Sequence, residues 1–156
     1  MKDSLPLIVI VGPTASGKTG LSIKLAKKFN GEIISADSRA IYRGLDIGTA
    51  KPSIEERQNV VHWGIDLVNP GEYYTAADFK RYAYAKIDDV RSRGHLPILA
   101  GGSGLYIDAI LFNFEFGNLP IVEKRTTLQK MDILALQNYC VKNNIKLPDN
   151  IQNKRH

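Results

Sequence analysis

Short continuous apolar runs alternate along this chain with longer stretches in which apolar residues recur every three or four positions. The first run, Leu5 to Val11 (LPLIVIV), has the length and continuity of a strand buried on both faces. From Thr19 to Phe29 the pattern changes period: Leu21, Leu25 and Phe29 fall at i, i+4 and i+8 with lysines between them, which predicts an amphipathic helix stopped by Asn30-Gly31. Glu32 to Ala36 (EIISA) reads as a second strand. Arg39 to Pro52 (RAIYRGLDIGTAKP) holds Gly44, Gly48 and Pro52 without periodicity, so an ordered loop is expected there. Ser53 is placed to cap a short helix through Asn59, and Val60 to Val68 (VVHWGIDLV) reads as a third strand closed by Asn69-Pro70-Gly71.

The next helix is the best marked. Thr75 and Asp78 form a T-x-x-D capping box, with Tyr74 and Phe79 spaced as a hydrophobic staple; Phe79, Ala83, Ile87 and Val90 then turn inward until Gly94 stops the helix after Arg93. Leu96 to Ala100 is the following strand, with Pro97 tolerable near its first position. It runs into a glycine-rich turn, Gly101-Gly102-Ser103-Gly104, which opens another helix with Ser103 as its cap. From Asn113 the strand–helix alternation ends. Two amphipathic segments are expected, near Glu123 to Lys130 and from Asp132 to Lys142, where Ile133, Leu136 and Cys140 recur at i, i+3 and i+7.

One stretch places chemistry on this scaffold. Gly12, Pro13, Thr14, Ala15, Ser16, Gly17, Lys18 and Thr19 fit G-x-x-x-x-G-K-[ST], in which consecutive backbone amides wrap an oligophosphate while a lysine and a hydroxyl complete the grip. The strand before it and the helix after it aim a helix N-terminus at the anion. With strands and helices alternating, the fold predicted is α/β: a P-loop NTPase-like three-layer sandwich with a mainly parallel sheet and right-handed crossovers, plus a small helical appendage. Residues 1–112 are expected to form the core and the residues from 113 the helical appendage, with a polar, net basic stretch from Lys146 to His156.

Composition narrows the picture modestly. The chain has 156 residues, enough for one domain with a substantial core. Its 21 Lys+Arg against 16 Asp+Glu, a formal charge of +5, suit a polyanionic partner but are equally met by a solvated basic surface. A single cysteine, Cys140, excludes an internal disulfide and reads as a packing residue in a reducing compartment. No Cys/His cluster suggests zinc, and the first apolar run is too short for a membrane span and has no cleavage site behind it. A cytoplasmic protein is expected.

A phosphate loop alone suits a kinase, a GTPase or an ATPase. Hydrolases of this architecture end a strand in an acidic residue that serves Mg²⁺, whereas the strand through Ile98 to Ala100 ends in two glycines. No arginine-rich lid segment is evident for a kinase. The acidic residue at a strand end is Asp37, next to Ser38, and ligands in open α/β sheets gather at such ends. A carboxylate there can ligate Mg²⁺ or accept a proton from a nucleophile. His62, inside an apolar strand, reads as a packing residue before it reads as a ligand.

Five blocks carry a family resemblance: GPTASGKT (12–19), ISADSRAIYRGLDIGTAKP (34–52), HWGID (62–66), YTAADF (74–79) and PILAGGSGLYI (97–107). In this order and spacing they resemble the N-terminal part of the tRNA dimethylallyltransferases, whose members run to about twice this length. The resemblance implies transfer of a dimethylallyl group from its diphosphate to N6 of the adenosine beside the anticodon, with Mg²⁺. It implies that Lys18 and the loop amides neutralise the departing diphosphate, that Thr19 serves the Mg²⁺, and that Asp37 is the catalytic aspartate. It further implies contacts to the tRNA anticodon stem-loop from Asp37, Ser38, Arg39, Ala40, Ser103 and Arg125, with 113–146 as a short helical insertion and 147–156 as the start of a segment that returns to the active site. Ala40 stands where many members have glutamine, and Ser103 where most have threonine. The remaining expectations are dimethylallyl diphosphate as donor, no membrane and a monomer. The alternatives weighed are an ATP-dependent small-molecule kinase, a prenyltransferase acting on free adenine nucleotides, and a ligand-binding module without activity.

Overall fold

The computed structural model describes residues 5–49, 51–116, 122–147 and 149–151, the side chains of 122–125 excepted. Four strands, β1 (Ile8–Val11), β2 (Gly31–Ala36), β3 (His62–Trp63) and β4 (Leu96–Gly101), form one sheet in the order β1-β4-β2-β3, with every neighbouring pair parallel. Parallel neighbours need crossovers, and α1 (Lys18–Phe29) and α2 (Ala76–Ser92) supply them, while α3 (Gly104–Leu111) follows β4. Successive residues of a strand point to opposite faces, so each face of the sheet acquires its own core. Ile10, Ile33 and Ile98 pack against Ile23 and Ala26 of α1. On the other face Ile34, Ala36 and Leu99 pack against Phe79, Ala83 and Ile87 of α2 and Tyr106, Ile107 and Ile110 of α3. Phe79 and Tyr106 stack with centroids 4.1 Å apart and join the two helices. The three-layer α/β architecture expected from the sequence is present.

α2 follows its pattern closely. Thr75 Oγ1 accepts from the Asp78 amide at 3.1 Å and Asp78 Oδ2 accepts from the Thr75 amide at 2.8 Å, which satisfies two amides that the helix leaves without partners. Phe79, Ala83, Ile87 and Val90 are all buried.

Elsewhere the periodicity misleads. The face α1 turns to the sheet is Ser22, Ile23 and Ala26, while Leu21 and Phe29 remain 50% and 48% exposed. Ile23 and Ala26 meet the strand isoleucines Ile10, Ile33 and Ile98, which turns Leu21 and Phe29 to the flank. β1 begins at Ile8 rather than Leu5, whose carbonyl accepts from Arg91 Nε at 2.7 Å. Ser53 and Glu56 exchange the expected capping bonds, yet no α-helix follows, because Gln58 and Asn59 turn left-handed at φ 49° and 62°. The third strand shrinks to two residues: Gly64 (φ 81°) and Asp66 (φ 56°) break it, and residues 66–68 pair instead with 40–43, Val68 bridging Tyr42.

The described residues divide after Glu115 into two compact units. In the second, α5 (Ile133–Lys142) is capped by Asp132, whose Oδ1 accepts from the Ala135 amide at 2.8 Å. α4 (Val122–Lys130) has only Val122 and Leu128 as apolar residues, six positions apart, so the expected amphipathic pattern is missing there. No helix among the described residues is long and apolar enough to cross a membrane.

At the amino end of β2 a buried carboxylate ties the sheet to the end of α2. Glu32 accepts from both terminal nitrogens of Arg93, Oε2 at 2.9 Å, and from Trp63 Nε1 at 2.7 Å. The Arg93 hydrogen bonds hold its pKa below the ordinary 4.5, against an opposing effect of burial. A carboxylate with a lowered folded pKa adds stability that is fully present above the ordinary value and lost as pH falls through the folded one. The stability gap between the wild-type chain and Glu32→Gln, the isostere of the protonated acid, should therefore be widest at neutral pH and close progressively below about pH 4.5, as read from urea midpoints across a pH series.

Candidate active site

A crevice of about 580 Å³ opens at the carboxyl ends of β1, β4 and β2. Its walls are the phosphate-loop residues Pro13, Thr14, Ala15, Lys18 and Thr19, the turn Asp37 to Ala40, the loop residues Gly48, Thr49 and Pro52, and Gly101 to Ser103; Ser22, Ile33, Ser35 and His62 also line it.

The loop is a tight turn, with the Ser16 amide donating to the Pro13 carbonyl at 3.3 Å. Gly17, the α1 N-cap, takes φ 82° with nothing near its missing Cβ, so backbone conformation alone requires glycine there. Ala15 adopts φ 64°, a left-handed conformation that costs a residue with a Cβ free energy and is characteristic of functional loops. Lys18 Nζ donates to the Pro13 carbonyl at 2.5 Å and reaches Ser16 Oγ at 3.5 Å, which holds the ammonium over the loop. Below it lie the first amides of α1, which have no intrahelical acceptor and carry the positive end of the helix dipole. A multiply charged oxyanion is the group this surface complements.

Asp37 follows the last residue of β2. Its Oδ1 accepts from the Arg39 amide at 2.8 Å and the Ala40 amide at 3.4 Å, which fixes the carboxylate at the crevice wall, and Oδ2 takes no hydrogen bond among the described residues. The neighbouring turn is bound to it: the Ser38 amide donates to Ser103 Oγ at 2.8 Å, and the Ser103 hydroxyl donates to Ser38 Oγ at 3.1 Å. Ser103 occupies the N-cap of α3, but its side chain makes no capping bond, so the expected local cap is replaced by a bond between strands' ends. The two glycine-rich turns meet directly, since a Cβ on Gly102 would lie 3.3 Å from the Gly12 carbonyl oxygen.

The structure thus brings Lys18, Thr19, Asp37, Ser38, Arg39, Ala40 and Ser103 to one crevice. Ala40 is almost fully buried and contributes wall rather than surface. Arg125 belongs to α4 in the second unit, and its side chain lies outside the described residues. His62 lines the crevice: its Nδ1 donates to the Val60 carbonyl at 2.9 Å, leaving Nε2 as a bare acceptor, buried and without a partner among the described residues. Burial lowers its pKa and outweighs the Val60 carbonyl, so the ring is neutral. Sequence reasoning passed over Ser35, Thr49 and Lys51. The signal for Lys51 was a lysine closing a glycine-rich loop with aspartates at 46 and 66.

The family model described as IPP transferase matches residues 40–153. The chain belongs to the IPP transferase family. A tRNA dimethylallyltransferase of Staphylococcus haemolyticus is 50% identical over 135 residues, 85% of this chain and 41% of that protein. The crystal structure of a tRNA delta(2)-isopentenylpyrophosphate transferase from Staphylococcus epidermidis superposes with a TM-score of 0.68 at 46% identity, covering 87% of this chain and 46% of that one. A eukaryotic dimethylallyltransferase captured acting on tRNA gives a TM-score of 0.81 at 32% identity over 97% of this chain and 39% of its own. The chain therefore spans about two fifths of the relatives it matches, with the P-loop NTPase-like fold that the family shares.

Gly101 is where two strand ends touch: a Cβ there would lie 2.1 Å from the Ala36 carbonyl oxygen, an overlap that only backbone movement relieves. Gly101→Ala should lower the unfolding free energy by about 3 kcal/mol, the upper end of overpacking costs, in a urea titration. Gly104→Ala, which meets nothing within 4 Å, should leave it within about 0.5 kcal/mol.

Proposed function

We propose that the protein containing this chain transfers a dimethylallyl group from dimethylallyl diphosphate to N6 of the adenosine beside the anticodon in tRNA. The observation that carries this reading is the carboxylate of Asp37, held by backbone amides on the wall of the crevice that the phosphate loop also lines. The names of the relatives support a tRNA acceptor over a free nucleotide.

In this reaction the C–N6 bond forms as the C–O bond of the donor breaks, diphosphate departs with the electron pair, and N6 loses a proton. The adenine amine is a poor nucleophile because its lone pair is delocalised into the ring, so a positioned base is needed as the bond forms. Asp37 accepts that proton. Lys18 and the amides at the start of α1 face the charge that grows on the leaving diphosphate, which is a larger charge in the transition state than in the donor's bound ester. The Thr19 hydroxyl and the diphosphate oxygens suit Mg²⁺, which takes one or two protein ligands beside phosphate oxygens and would add to that neutralisation. Ser38, Arg39 and Ser103 receive the target nucleotide, with Ala40 as buried wall behind them, and the base must leave its stack to reach the crevice. Residues 113–146 are read as a helical insertion, with Arg125 contacting tRNA, and 147–156 as the start of a segment returning to the core. The protein is expected to work as a cytoplasmic monomer.

The test uses the complete protein, labelled dimethylallyl diphosphate and unmodified tRNA. Wild type should label the tRNA and not free AMP, and Asp37→Asn should lower kcat by about 10²- to 10⁴-fold while leaving donor affinity within about threefold. Labelling at the wild-type rate would remove Asp37 as the base, and phosphate transfer from ATP without prenylation would replace the reading with a kinase.

A further inference from the structure

One wall of the crevice is a loop whose apolar anchor, Ile41 and Tyr42, lies at its base and not at its tip. Its base is secure: the Asp66 amide donates to Ala40 O at 3.1 Å, Leu67 to Ile41 O at 2.7 Å and Arg43 to Val68 O at 2.9 Å, a short parallel ladder beside the sheet. The tip beyond it, 44–49, is different. Ile47 is fully exposed and Leu45 is 44% exposed, and Gly48 and Thr49 nevertheless line the crevice. Thr49 Oγ1 donates to Leu45 O within the tip itself. Among the described residues a single side chain binds the tip to the rest of the unit.

That side chain is Lys51, only 3% exposed. Its Nζ donates to Tyr42 O at 2.8 Å at the loop base, to Asp46 Oδ1 at 2.6 Å in the tip, and to Asp66 Oδ1 at 2.7 Å in the segment after β3. An ammonium has three N–H donors and no acceptor, so all of its hydrogen-bonding capacity is used within the protein. Burial alone would lower its pKa, but the two aspartates outweigh it and the value is raised, so the group stays charged. Lys51 has no donor left for a ligand, and Thr49, two residues before it, and Pro52, the residue after it, are crevice wall.

We propose that Lys51 is a positioning residue for the transfer reaction: it clasps the loop tip to the loop base and to Asp66, and so sets the distance between the Gly48–Thr49 wall and the phosphate loop. The proposal rests on the transfer reading above. Without the clasp the base ladder and the core remain, and only the wall loosens. The donor's diphosphate would still be gripped by Lys18 and the amides of α1, while its reactive carbon would no longer be confined opposite the acceptor. Loss of alignment of about 1 Å costs on the order of 100-fold in rate without comparable loss of binding.

The complete protein, wild type and Lys51→Met, is assayed for prenylation, for affinity toward inorganic diphosphate and for backbone hydrogen exchange. Lys51→Met should lose about 10- to 100-fold in kcat, keep KM for tRNA and the diphosphate affinity within about threefold, and exchange faster across 44–49 than elsewhere. Lys51→Arg should not restore the rate, because a planar guanidinium cannot aim three donors at these three acceptors. Asp46, 68% exposed, offers a variant that leaves folding unthreatened, and Asp46→Ala should show the same split at about 3- to 10-fold. If Lys51→Met does not fold, Asp46→Ala decides. Wild-type kcat in Asp46→Ala, or a loss in either variant confined to KM for tRNA, overturns the proposal. A wild-type protein that does not prenylate tRNA overturns the transfer reading instead, and the exchange rates across 44–49 still decide whether Lys51 holds the tip.

Discussion

The pairing of β2 with β4 is the constraint on which the rest of the site depends. Its register ends at Ala36 opposite Gly101, and there the two backbones approach so closely that only glycine fits. Because both strands stop at that level, the chain leaves them side by side: the Ser103 amide donates back to Ala36 O at 3.1 Å, and the Ser38 and Ser103 hydroxyls bond across the gap. β1 joins on the other side of β4, with Val11 opposite the same Gly101, and delivers the phosphate loop to the same level. Three loops distant in sequence thus share one crevice through backbone pairing, and no side chain has to bring them together.

Charge in this molecule is buried only where it is fully bonded. Glu32 at the amino end of the sheet accepts from Arg93 and Trp63, and Lys51 near the carboxyl end donates to a carbonyl and two carboxylates. Removing one partner from such a group strands the other, so each acts as a pin for the segments it joins. The two pins do different jobs. Glu32 ties α2 to the sheet far from the crevice and bears on stability, whereas Lys51 orders a wall of the crevice itself.

The crevice divides into rigid and adjustable parts. The phosphate loop and Asp37 stand at the ends of paired strands and at a helix N-terminus, elements that cannot drift independently. The wall from Gly48 to Pro52 follows a loop tip that lies beyond the apolar anchor of Ile41 and Tyr42, so its order depends on a few charged hydrogen bonds. The chain spans about two fifths of the curated relatives it matches, and its formal charge of +5 suits a polyanionic partner and a solvated basic surface equally.

The amino-acid sequence by itself determined the phosphate loop, the order of strands and helices, the capping box of α2 and the position of Asp37 at a strand end, because each is written in contiguous residues whose local physics is strong. Tertiary structure alone decided which face of α1 is buried, because the isoleucines of β1, β2 and β4 meet Ile23 and Ala26 and leave Leu21 and Phe29 exposed. It cut the third strand to two residues through the left-handed backbone at Gly64 and Asp66, and it moved the Ser103 hydroxyl from its own helix to Ser38. It also made Lys51 a clasp, because the acceptors of one ammonium came from residues 9, 5 and 15 positions away in the chain, and only the folded loop puts them within reach of the same nitrogen.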